Sequence, residues 1–142
     1  MKIRNWFFVF MLALCANAFA AKTADKDTYT YTEDKLGIAI TADHPQFVVK
    51  LKSNPSTGYS WFLRDLDTNL ITAVKHEYLP AADRKLMGAP GFEVWTFRMK
   101  PAAFQVPQQT LIRIVYARPW EGVEQAAQVV FRVSTLGKVD QQ

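Results

Sequence analysis

The chain has 142 residues, a formal charge of +4 and one cysteine, with 49% of its residues hydrophobic and 13% aromatic. That length suits a single domain able to bury a core without staples. The charge, only +2 once residues 1–20 are set aside, and the lack of a Lys/Arg stripe interleaved with aromatics argue against a nucleic-acid partner, and one cysteine excludes a disulfide framework.

In chain order, residues 1–20 read as a secretory signal peptide rather than as fold. Lys2 and Arg4 precede an apolar run from Trp6 to Leu14 that is too short to span a bilayer comfortably, and Ala18-Phe19-Ala20 supplies a small-x-small cleavage site. Leu14 before Cys15 is too large for a lipobox. Cleavage before Ala21 would leave 122 of the 142 residues, remove Lys2 and Arg4 so that the charge falls from +4 to +2, and remove the only cysteine. The exported protein, periplasmic or secreted, would then carry no disulfide, thiol nucleophile or thiolate metal site. No other apolar run approaches the length of a membrane span. Residues 21–28 read as a flexible leader and residues 29–142 as one domain.

Period-two alternation dominates that domain. Strands are expected at Tyr29–Thr32, Leu36–Thr41, Gln46–Ser53, Tyr59–Leu63, Ile71–Tyr78 (weaker), Gly91–Met99, Thr110–Tyr116 and Gln128–Ser134. A short helical turn is expected within Leu66–Ala73, and no segment carries a helical period over three turns. Seven to eight short strands separated by turn signals predict an all-β sandwich.

Between the third and fourth strands lies Asn54-Pro55-Ser56-Thr57-Gly58-Tyr59. Pro55 sets its φ near roughly −65° and pushes Asn54 toward an extended backbone. Gly58 permits a positive φ where the chain turns back. Asn54, Ser56 and Thr57 are expected to cap the loop's own amides. The product is a stiff projection, shaped before it meets a partner. A second loop, Asp83–Phe92, contains apolar Leu86 and Met87 and then Gly88-Ala89-Pro90-Gly91. A third, Ala117–Gln125, places Arg118, Pro119 and Trp120 together. Arg and Trp are enriched among interface hot spots, and Pro119 restrains Trp120.

Catalytic chemistry is hard to assemble. His44 and His76 lie in separate segments without ligand spacing and read as surface or turn residues. Ser56 and Ser60 have no nucleophile-elbow setting. Nothing pairs the acids Asp65, Asp67, Asp83, Glu93, Glu121 and Glu124 into a two-carboxylate site. The expectation is therefore no enzyme, no metal and no cofactor.

Taken in order, Asn54-Pro55-Ser56-Thr57-Gly58-Tyr59, then Gly88-Ala89-Pro90-Gly91 with Trp95 and Phe97, then Arg118-Pro119-Trp120 resemble the chagasin family of cysteine peptidase inhibitors. The likeness extends over roughly residues 30–136. It implies that the β-sandwich is immunoglobulin-like. It also implies a reversible, non-covalent inhibitor of papain-like cysteine peptidases, acting as a monomer with three binding loops at one end of the sandwich. The implied contact residues are Asn54 to Tyr59, Leu86 to Gly91, and Arg118 to Trp120. Thr57 would lie nearest the catalytic cysteine and Trp120 on aromatic surface beside the cleft. Ser56 stands where the family has a threonine, and Pro90 stiffens a loop otherwise rich in glycine. The alternative from the residues alone is a non-inhibitory immunoglobulin-like module for binding or envelope assembly. That reading places exposed apolar surface on a sheet face or edge rather than at the loop end.

Overall fold

Alternation along Gln46–Ser53 buries Phe47, Val49 and Leu51 completely, while Lys50 and Lys52 face outward. The same rule operates in the other long strands apart from β5, because successive side chains leave opposite faces of a pleated backbone. In the computed structural model, which describes residues 28–81 and 89–137, it yields eight strands. They are β1 (Tyr29–Tyr31), β2 (Gly37–Ile40), β3 (Gln46–Ser53), β4 (Ser60–Leu66), β5 (Ile71–Leu79), β6 (Gly91–Met99), β7 (Gln109–Ala117) and β8 (Ala127–Thr135). All eight expected strands form, and the fold is the all-β sandwich that the alternation predicts.

The strands make two four-stranded sheets, ordered β1-β3-β6-β5 and β2-β8-β7-β4. Pairing is antiparallel except at one edge of each sheet, where β1 runs parallel to β3 and β2 parallel to β8. Facing inner surfaces supply the core: Phe47, Leu51, Phe97 and Met99 from one sheet, and Ile38, Ile112, Ile114, Phe131 and Val133 from the other. Phe47 and Phe97 stack with centroids 5.6 Å apart. Each such side chain contributes about 1.5–3 kcal/mol by leaving water.

Two strands carry bulges, β4 between Leu63 and Asp65 and β5 between Ala73 and Lys75. The second explains the weak alternation of β5, since an extra residue reverses parity midway. The expected helical turn within Leu66–Ala73 is one α-turn: the Ile71 amide donates to the Asp67 carbonyl at 2.9 Å, and the Asp67 carboxylate accepts from the Asn69 amide at 3.0 Å. Ile71 then begins a strand. A one-turn 3-10 helix at Pro101–Phe104, started by its proline, has no counterpart in the sequence expectations.

Strand registers place the loops. Ser53 pairs with Gly91, Ser60 with Ala117, Tyr116 with Ala127, and Leu79 with Phe92. The chain therefore leaves β3, β5 and β7 and enters β4, β6 and β8 at a single end of the sandwich.

Candidate functional site: a loop cluster at one end

Asn54 leaves β3 at φ −126°, and Pro55–Thr57 forms a single 3-10 turn that closes on Gly58 at φ +80°. The Thr57 amide donates to the Asn54 carbonyl at 3.2 Å and the Gly58 amide to the Pro55 carbonyl at 3.0 Å. The Ser56 hydroxyl donates to Asn54 Oδ1 at 2.5 Å, and the Thr57 hydroxyl to the Asn54 carbonyl at 2.7 Å. These hydroxyls thus stiffen the loop as donors, where the sequence suggested acceptors for amides. Pro55, Ser56 and Thr57 are exposed at the tip.

The third loop supports the first. Arg118 to Glu121 forms a β-turn, with the Glu121 amide donating to the Arg118 carbonyl at 3.1 Å. Pro119 occupies the second turn position, which its fixed φ suits. Arg118 reaches across: Nε donates to the Thr57 carbonyl at 3.1 Å, Nη1 bonds Glu121 Oε1 at 3.0 Å, and the guanidinium lies 4.5 Å from the Tyr59 ring centroid. Tyr59 stacks on Tyr116 at 5.3 Å, and the Tyr116 hydroxyl accepts from the Asn54 amide at 3.1 Å. Trp120 lies against Gly58, so close that a Cβ on Gly58 would sit 3.1 Å from its ring. Yet Trp120 remains 73% exposed, the most exposed of the large hydrophobic side chains described.

The second loop is described only where it joins β6. Ala89 is half-buried, Pro90 exposed and Gly91 buried, while Leu86, Met87, Gly88 and Asp83 lie outside the described residues. Gly91 is required where it stands: a side chain there would run into the Leu79 carbonyl and the Tyr78 hydroxyl.

Four residues at the base of the cluster escaped the sequence reading. Glu93, 3% exposed, accepts from the Ser53 hydroxyl at 2.6 Å, from the Trp61 amide at 3.0 Å and from His76 Nε2 at 2.9 Å. His76 is a surface residue, as expected, rather than a turn residue: it is exposed on β5 and stacks on Trp95 with centroids 3.8 Å apart. The one available signal was a glutamate on the inward parity of Trp95, Phe97 and Met99. Of the other acids, Asp65 pairs with Arg113 and Glu121 with Arg118. Among the described residues no group of three or more His, Cys, Asp or Glu could hold a metal ion, and no helix is long and apolar enough to cross a membrane.

An immunoglobulin-like sandwich with a stiff, partly aromatic loop cluster at one end defines a class of binding proteins. The sequence model described as chagasin family peptidase inhibitor I42 matches residues 43–134, and the chain belongs to that family. Family members are inhibitors, not enzymes. Among solved structures, the fold is similar to that of the cysteine protease inhibitor EhICP2 from Entamoeba histolytica. The two share 20% identity with a TM-score of 0.63, over 77% of this chain and 96% of that one. It is also similar to the solution structure of amebosin, with 21% identity and a TM-score of 0.59, over 77% of this chain and 98% of that one. No curated protein matches the chain in sequence.

Proposed function

We propose that this protein is a reversible, non-covalent inhibitor of papain-like cysteine peptidases, with Asn54–Tyr59 as the wedge that enters the active-site cleft. The observation that carries this reading is the meeting of Thr57, Gly58, Arg118 and Trp120 at one tip, with Trp120 exposed against the wedge. A binding module working through a sheet face would not need its most exposed large aromatic there. Such loops can occupy an interface of standard size, about 1,600 Å² in total, and a pre-organised one reaches nanomolar affinity.

The wedge also resists cleavage. A cysteine peptidase attacks a carbonyl presented in an extended chain. Here Pro55–Thr57 is a tight turn, and the carbonyls of Asn54, Pro55 and Thr57 already accept hydrogen bonds within the loop cluster. Unfolding the turn to present one of them would forfeit those bonds, so the cleft is filled without offering a substrate geometry. The amino-terminal pattern of residues 1–20 supports action outside the cytoplasm, on a peptidase of the periplasm or the surroundings.

The test is titration of papain and related enzymes with residues 21–142, with a serine peptidase as control. Stoichiometric inhibition of the former alone is expected. No inhibition at micromolar concentrations across several papain-like enzymes overturns the reading. N-terminal sequencing of the exported protein is expected to begin at Ala21.

A further inference from the structure

The wedge joins strands of different sheets: β3 lies in one and β4 in the other. No ladder of backbone hydrogen bonds can therefore close its stems, as it would in a hairpin. The stems are joined instead by side chains, and one of these is Glu93. Oε1 accepts from the hydroxyl of Ser53, the last residue of β3, and from the amide of Trp61 near the start of β4. Asn54–Ser60 all lie between those two donors. β4 is the edge strand of its sheet, so the buried Trp61 amide finds its partner across the sandwich in this carboxylate. Glu93 itself stands two residues beyond Gly91, where the second loop ends. Oε2 is held by His76, whose ring is fixed on Trp95.

We propose that Glu93 is a positioning residue for inhibition: its carboxylate ties the two stems of the wedge together across the sheets and links them to the root of the second loop. This rests on the inhibitory reading above and adds the residue that holds the wedge in shape. Among the described residues Glu93 is the only buried charged side chain, and burial of a charge is costly unless it is paired and hydrogen-bonded. Three hydrogen bonds satisfy its two oxygens, and two of the three come from the stems of the wedge. Ser53 and Trp61 gain a fixed separation, and the wedge then loses little freedom on docking.

The experiment compares Glu93→Ala, Glu93→Gln and Ser53→Ala with Phe104→Ala, which loosens the core at the opposite end. Inhibition constants against papain are measured together with Tm and with amide hydrogen exchange at Trp61. Glu93→Ala is expected to weaken inhibition about tenfold or more and to speed Trp61 exchange. Glu93→Gln, whose amide oxygen can accept from both stems, should stay within about threefold of the unaltered protein. Ser53→Ala should fall between them, and Phe104→Ala should lower Tm while leaving inhibition unchanged. An unaltered constant in Glu93→Ala overturns the proposal. So does a loss that Phe104→Ala reproduces, or a Gln variant as weak as Ala. If Glu93→Ala does not fold, Ser53→Ala decides alone, and full potency there rejects the role. Should the unaltered protein inhibit nothing, the inhibitory reading falls, while Trp61 exchange in Glu93→Gln and Ser53→Ala still reports whether the carboxylate joins the stems.

Discussion

Trp120 shows how a residue can be held and exposed at once. Pro119 fixes the turn before it, and its ring rests on Gly58, where an added Cβ would press on it at 3.1 Å. An aromatic restrained in this way loses little entropy on docking. Trp120→Ala should therefore weaken inhibition by about 2 kcal/mol or more, about 30-fold, with no change in Tm. An inhibition constant within twofold would make Trp120 peripheral. Gly58 is the complementary case. At φ +80° an alanine costs about 1 kcal/mol of backbone strain and presses its Cβ on the Trp120 ring. Gly58→Ala should weaken inhibition several-fold with the sandwich intact by circular dichroism. Pro55→Ala leaves the Thr57 and Gly58 hydrogen bonds possible but widens the loop's unbound ensemble. It should weaken inhibition while Tm stays nearly constant; equal potency would remove stiffness from the account.

At the scale of the element, most strands were legible because they alternate apolar and polar residues over their own length, and alternation needs no knowledge of partners. The exceptions follow the same logic. β5 read weakly because its bulge at Ala73/Lys75 reverses parity. The turn at Asp67–Ile71 and the 3-10 turn at Pro101–Phe104 are shorter than any period that could be counted. Gly91 links the β5–β6 pair to the second loop. Its Cβ-less backbone lets Leu79 and Tyr78 approach β6 where Leu79 pairs with Phe92. Gly91→Ala should destabilise the domain by about 1–3 kcal/mol, because the obstructing Leu79 carbonyl is backbone and cannot swing aside. Thermal unfolding checks this, with a Tm lowered by several degrees expected and an unchanged Tm contrary to the crowding argument.

For the whole molecule, polarity from end to end matters most. The loops occupy one end, while Thr28, ahead of β1, and Gly137, beyond β8, lie toward the other. A globular protein fused beyond the C-terminus should leave inhibition of papain unchanged, and a tenfold loss would mean that the binding surface extends around the sandwich.

By itself the sequence determined the all-β class, the strand positions, the stiffness of Asn54–Gly58 and the likeness to the inhibitor family. These depend on alternation and on turn chemistry within a few neighbouring residues. Only the tertiary structure decided that Arg118 braces the Thr57 carbonyl, that Trp120 lies on Gly58, and that Glu93 joins Ser53, Trp61 and His76. Those partners are 61, 40, 32 and 17 residues apart for the Arg118–Thr57, Ser53–Glu93, Trp61–Glu93 and His76–Glu93 bonds. Contacts so distant are set by strand register and by the stacking of the two sheets, neither of which is written in any one segment.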